Sequence, residues 1–175
     1  MNFYVFSALL NGVAATALGV FVFSRDPGNL RHRAFGLYCL SLSIWSYFYL
    51  AWQLAASKDM ALLSVRLLMA GAILIPVCYL YHALTLLNRV AEHRRLLVTG
   101  CGLSAIFLLL DCTPLFVADV RPEPGFAYWP KPGPAFHFYL VWFAGYVVYT
   151  TMLFIQEYRR AKGLQRNQCL YLLLG

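Results

Sequence analysis

The chain has 175 residues, of which 61% are hydrophobic and only 12% charged, with a net charge of +7. Soluble domains carry roughly 25% charged and 45–50% apolar residues, so these proportions exclude a single water-soluble core. The basic residues stand between apolar runs and form neither a patch nor a basic recognition helix, which excludes nucleic-acid binding as their explanation. Aromatic residues, at 17%, gather near the ends of the apolar runs, where a bilayer interface would place them.

A membrane-crossing helix needs about 20 mostly apolar residues. Residues 1–23 supply the first, without a charge. This run lacks a basic leader and is too long for a cleaved signal, so it is predicted to be a retained helix. Residues 24–34, SRDPGNLRHRA, form a loop punctuated by Pro27 and Gly28. The second helix is predicted over residues 35–55, uncharged and aromatic-rich, followed by a short loop at 57–60. The third covers residues 61–87 and holds one charge, Arg66; a polar loop follows at 88–95. The fourth covers residues 96–110 and is short unless it continues to about Val117. Residues 119–134, DVRPEPGFAYWPKPGP, read as a loop with five prolines and two glycines. The fifth helix is predicted over residues 135–158, with a basic linker at 159–167. A sixth apolar run opens at 168–175, too short to cross about 30 Å of hydrocarbon at 1.5 Å per residue, so the chain is expected to be truncated within that helix.

The predicted fold class is therefore an all-α membrane protein. It is a polytopic transmembrane helix bundle, with five full helices and the start of a sixth in one domain over residues 1–175. Lys and Arg in short loops set orientation, because basic residues are retained in the cytoplasm. One set of alternate loops carries Arg25, Arg31, Arg33, Arg89, Arg94, Arg95, Arg159, Arg160, Lys162 and Arg166; the other carries only Lys58, Arg121 and Lys131. This bias predicts an outside N-terminus. Helix six then runs outward, and a seventh helix would return the chain to the cytoplasm.

The cysteines Cys39, Cys78, Cys101, Cys112 and Cys169 form no close pair and read as small buried hydrophobes, with neither a disulfide nor a metal site expected. No nucleophile–base arrangement, phosphate-binding loop or zinc signature appears, so catalysis by this chain is not expected, and no cofactor is implied.

Arg66 stands about one and a half turns into the third helix from its outer end, and a charge inside a membrane helix marks a functional site by default. Asp111 lies at a similar depth and could pair with it. The competing readings are a purely structural ion pair or snorkelling of Arg66 to the headgroups. Pro76 removes a backbone hydrogen bond in mid-helix and frees the Ala72 carbonyl; with Gly71 nearby it could act as a hinge, or serve packing alone. His82 is expected to hydrogen-bond to a neighbouring helix. Phe126, Tyr128 and Trp129 make the outer loop a candidate lid over a ligand site or an interfacial anchor. Trp45, Tyr47, Tyr49, Trp52, Trp142, Tyr146 and Tyr149 could line an apolar pocket or pack between helices. Gly12, Ala15 and Gly19 recur on the first helix at spacings that permit close helix packing. The candidate ligand-binding set is thus Arg66, Asp111, Tyr128, Trp129 and Trp142, with Gly71 and Pro76 as the candidate hinge.

Four segments together resemble the N-terminal seven-helix region found on many bacterial sensor histidine kinases. They are PGNLRHRAFGLYCLSLSIWSYFYL (27–50), RLLMAGAILIPVCYLYHALTLL (66–87), YWPKPGPAFHFYLVWF (128–143) and RRAKGLQRNQCLYLLLG (159–175). The resemblance implies a sensory input domain in the bacterial inner membrane, seven helices in the full-length protein, a homodimer, and a downstream cytoplasmic signalling module such as a kinase or cyclase. It departs from such a kinase in having no phosphoacceptor histidine box and no ATP-binding segment. The expected partners are the lipid bilayer and an unknown small ligand or membrane signal, with no nucleic acid. The alternative function is a small-solute transporter or membrane scaffold, against which stand a single buried charge and no convincing repeat.

Overall fold

The computed structural model of the chain describes residues 3–160. The expected start of a sixth helix at 168–175 lies outside the described residues, as does the linker beyond residue 160. The element order is α1 (Phe3–Arg25), α2 (Leu30–Gln53), α3 (Lys58–Leu86), α4 (Arg94–Asp111), β1 (Val117–Glu123), β2 (Phe126–Pro132) and α5 (Pro134–Arg160).

Capping residues explain where the helices begin. Asn29 accepts a hydrogen bond from the Arg31 amide, so α2 starts five residues before the apolar run does and the first loop contracts. Ser57 likewise accepts from the Met60 amide and opens α3 at Lys58. Four of the helices, α1, α2, α3 and α5, are long and apolar enough to cross a membrane. The fourth predicted crossing is the exception: α4 has 18 residues, ends at Asp111 rather than continuing towards Val117, and carries Arg94 and Arg95 in its first turn.

The segment expected to be an irregular loop is instead an antiparallel hairpin, which corrects the all-α reading for this part of the chain. Val117 faces Pro132, Val120 faces Pro130, and Arg121 faces Trp129. Prolines survive here because both strands of a two-stranded ribbon are edges, where a missing amide donor need not break a ladder. The turn at residues 123–126 places Pro124 before Gly125, whose φ of +86° suits a residue without a Cβ.

The helix packing centres on α3, which contacts α2, α4, α5 and both strands, whereas α1 packs chiefly on α2, and α4 and α5 touch each other only slightly. Lipid tails provide no hydrophobic drive between helices, so close packing and interhelical hydrogen bonds hold them. On α1 the buried residues are Ala8, Gly12, Ala15 and Gly19, a stripe of small side chains against α2. A Cβ at Gly19 would lie 2.7 Å from that of Cys39. Asn11 donates to Ser46 at 2.6 Å, and Thr16 meets Ser43 at 3.0 Å.

Two buried clusters divide the rest. One, termed outer because it lies at the hairpin end, joins Trp52, Val65, Ile73, Phe107, Phe116, Val117, Val120 and Tyr139 from α2–α5 and the hairpin. The inner one joins Val77, Leu80, Leu84, Tyr146 and Leu153 from α3 and α5.

Candidate functional site

The hairpin-side ends of α2, α3, α4 and α5 meet beneath the hairpin. α3 brings Arg66 eight residues, or about 12 Å, below its first residue. The side chain is half-buried, and its Nε is buried without a hydrogen-bond partner. Asp111, the last residue of α4, is only 4% exposed, and its Oδ1 also lacks a partner. The two charges act on each other. Yet no ion pair joins them within 4 Å; among the described residues the salt bridges are Lys58–Asp119, Arg89–Glu92, Arg121–Asp119 and Lys131–Glu123. The pairing expected from the sequence is therefore a neighbourhood rather than a closed contact.

α5 adds Tyr139, 3% exposed, whose phenol also interacts electrostatically with Asp111. One turn further along, Trp142 packs 6.1 Å from the Tyr139 ring and 5.3 Å from Phe107. Its Nε1 is buried and finds no acceptor, and Gln53 at the end of α2 has a buried, unpartnered Nε2. Buried polar groups are nearly always hydrogen-bonded, and each exception calls for a reason. Of the six such side-chain exceptions among the described residues, four lie toward this end, one each from α2, α3, α4 and α5; the other two, His32 and His82, lie toward the opposite end.

The hairpin is pinned over this end by two contacts. The Trp52 indole donates to the Tyr128 carbonyl at 2.5 Å, and its ring stacks on Phe126 at 5.9 Å. Lys58 at the start of α3 reaches Asp119 at 2.8 Å. That ammonium, followed by the Val120 amide, holds the Asp119 carboxyl below its ordinary range. Lys131 and Glu123 pair across the ribbon itself.

The five predicted ligand-binding residues thus separate. Asp111 neighbours both Arg66 and Tyr139, and Trp142 packs against the Tyr139 ring. Tyr128 packs against the outer cluster and uses its backbone to receive Trp52. Trp129 lies on the outer side, 39% exposed, against Trp52 and Phe126. Tyr139 and Gln53 were not among the candidates. Tyr139 was discoverable, because Tyr139, Trp142 and Tyr146 repeat at i, i+3 and i+7 and so share one helix face. Nothing in the pattern singles out Gln53.

α3 runs through Pro76 as one helix. A Cβ at Gly71 would lie 2.6 Å from the Trp45 amide nitrogen, so glycine here lets α2 and α3 touch backbone to backbone. Ser104 of α4 donates to the Ile73 carbonyl at 3.5 Å, next to the carbonyl that Pro76 leaves free. His82 departs from expectation: its Nδ1 has no partner, and the ring packs against Phe35 at 5.2 Å and Tyr38 at 6.2 Å on α2.

Residues 4–175 match the family described as the N-terminal 7TM region of histidine kinase. Comparison with curated proteins gave no match, and neither did comparison with solved structures.

Proposed function

Since the chain belongs to the family of N-terminal seven-transmembrane regions of histidine kinases, a sensory rather than a catalytic region, we propose that it is the sensory input domain of a bacterial sensor histidine kinase that receives its signal at the outer cluster. The signal is a small polar ligand or a change in the membrane. On this reading α4 makes a fifth crossing, the N-terminus faces out of the inner membrane, and the domain works as a homodimer ahead of a cytoplasmic kinase module.

The observation that carries the site is the meeting of Arg66 and Asp111, near enough to act on each other yet unpaired, with Trp142 also lacking a partner. Unsatisfied groups of opposite charge offer a ligand a donor and an acceptor at once. A ligand shifts a bundle only if it binds two conformations differently. Arg66 and Asp111 sit on different helices, so bridging them would favour one spacing of α3 and α4 over another. Pro76 and Gly71, below them on α3, are the proposed hinge.

The test is autophosphorylation of the full-length kinase in membrane vesicles, comparing the unsubstituted protein with Arg66→Gln and Asp111→Asn. Both variants are expected to move the basal phosphorylated fraction at least about threefold, a differential of roughly 0.7 kcal/mol between states. Unchanged phosphorylation in both, with normal membrane insertion, would remove the outer cluster from signalling. Solute flux through proteoliposomes of the unsubstituted chain would instead favour a transporter.

A further inference from the structure

A second feature shares no lining residue with the outer cluster. Between α1 and α2 runs a groove of about 770 Å³. Gly19, Val20 and Phe23 form one wall, and Leu37, Leu40 and Ile44 form the other. Several of these side chains are open to the surroundings, Val20 at 63% and Leu40 at 55%. Along α2 the lining extends from Arg33 to Phe48, about 22 Å at 1.5 Å per residue. That exceeds half of a hydrocarbon layer about 30 Å thick, so the groove runs from the headgroup level to beyond the depth of one leaflet.

Its polar groups leave an occupant nothing to bond inside. Thr16 donates to the Gly12 carbonyl at 2.8 Å and meets Ser43 and Tyr47 across the helix pair. Ser43 donates to the Cys39 carbonyl at 2.8 Å. The interior therefore suits a plain hydrocarbon chain. The charge is confined to one mouth. Among the three arginines there, Arg25 lies over the Phe21 ring at 4.7 Å and Arg31 donates to Asn88 at 3.1 Å. The Arg33 amide donates to the Asn29 carbonyl, while its guanidinium has no hydrogen bond or ion pair among the described residues. A free guanidinium at the headgroup end of a dry groove matches a phosphate ester carrying an acyl chain, because guanidinium binds phosphate through paired donors.

We propose that this groove binds an anionic glycerophospholipid of the surrounding bilayer. One acyl chain lies along Gly19 and Leu40, and the phosphate sits on Arg33. This site does not depend on the outer cluster. Its occupancy would set how closely α1 and α2 approach.

The test uses the chain reconstituted in bilayers containing a photoactivatable phospholipid, with a diazirine in the acyl chain and either a phosphatidylglycerol or a phosphatidylcholine headgroup. Labelled peptides are mapped by mass spectrometry. Labelling at residues 37–44 is expected to favour the anionic lipid by about fivefold, the scale of one basic residue at the membrane surface. Arg33→Gln should abolish that preference, Arg33→Lys should retain most of it, and Leu40→Trp should block labelling by both lipids. Equal labelling by the two headgroups in the unsubstituted chain would overturn the proposal. So would absence of label together with capture of a protein segment by benzoylphenylalanine at position 40, since another helix would then fill the groove.

Discussion

The two buried clusters of the bundle are built on opposite terms. The inner one is mostly aliphatic, and its hydroxyl groups are bonded: that of Tyr146 donates to the Leu96 carbonyl at 2.9 Å, and that of Thr150 to the Tyr146 carbonyl; the buried atoms without a partner on this side are ring nitrogens of His32 and His82. At its solvent end Arg89 grips Glu92 through two hydrogen bonds, of 2.8 and 2.6 Å. The outer cluster is aromatic, capped by a hairpin, and surrounded by Gln53, Arg66, Asp111 and Trp142, each with a buried atom left unpartnered. A membrane bundle can hold itself together with small residues and aliphatic packing, as the inner half does. Leaving polar atoms unsatisfied costs stability, so they point to a role other than holding the fold.

Deleting a ring from the outer cluster should have the largest effect. Phe116→Ala empties a fully buried site packed by Phe107, Phe136 and Tyr139. A loss of about 3–5 kcal/mol is expected in reversible unfolding from mixed micelles. A loss below about 1 kcal/mol would mean that the hairpin and helix ends are not one packed unit.

Gly71→Ala comes next. The new Cβ meets backbone of α2 rather than a movable side chain tip, so α2 and α3 must part, at about 1–3 kcal/mol. If the hinge reading holds, kinase output shifts as well; a stability loss with unchanged output would leave Gly71 a packing residue only.

The two regions separate most clearly by a pair of conservative changes. Tyr146→Phe removes an interhelical hydrogen bond of the inner half and should cost about 0.6 kcal/mol without altering phosphorylation. Asp111→Asn removes the charge from the outer half; it should leave unfolding within about 1 kcal/mol of the parent but change phosphorylation. The reverse outcome would assign signalling to the inner half.

The smallest effect concerns pH. Lys58 holds the Asp119 carboxyl below its ordinary range. A depressed value in the folded state contributes stability that is complete above the unfolded carboxylate range and disappears as pH falls through the lower folded value. The latch between α3 and the hairpin should therefore be constant through neutral pH and release only in acid. Hydrogen exchange of the strand amides should show no change from about pH 8 to pH 5 and faster opening, corrected for intrinsic exchange, below about pH 4. Lys58→Ala should weaken that acid dependence, leaving the part due to the Val120 amide and Arg121, with little effect at neutrality because exposed pairs contribute little.

Hydropathy alone located every helix of the described region to within a few residues, because a bilayer demands apolar length from each segment separately and satisfies it locally. The expectation that Arg66 and Asp111 lie at similar depths, as neighbours, is equally local. It follows from counting residues along two neighbouring helices. The hairpin was hidden because five prolines argue against strands in general, and their tolerance at ribbon edges becomes visible only once two strands pair. The turn at Pro124 and Gly125 was the one local trace of it. Periodicity puts Tyr139 on one helix face with Trp142 and Tyr146, but it does not say what that face meets.

What the sequence determined by itself was the membrane as solvent, the helix positions and the residues whose charge is out of place there. The tertiary structure decided which of those residues meet. It separated Trp129 from Arg66 and Asp111, left those two charges near but unpaired, and opened a groove beside Arg33. The division has a physical cause. Transfer of apolar segments to a bilayer is a sum over residues of one segment, whereas pairing, exposure and cavities depend on the spacing between segments distant in the chain.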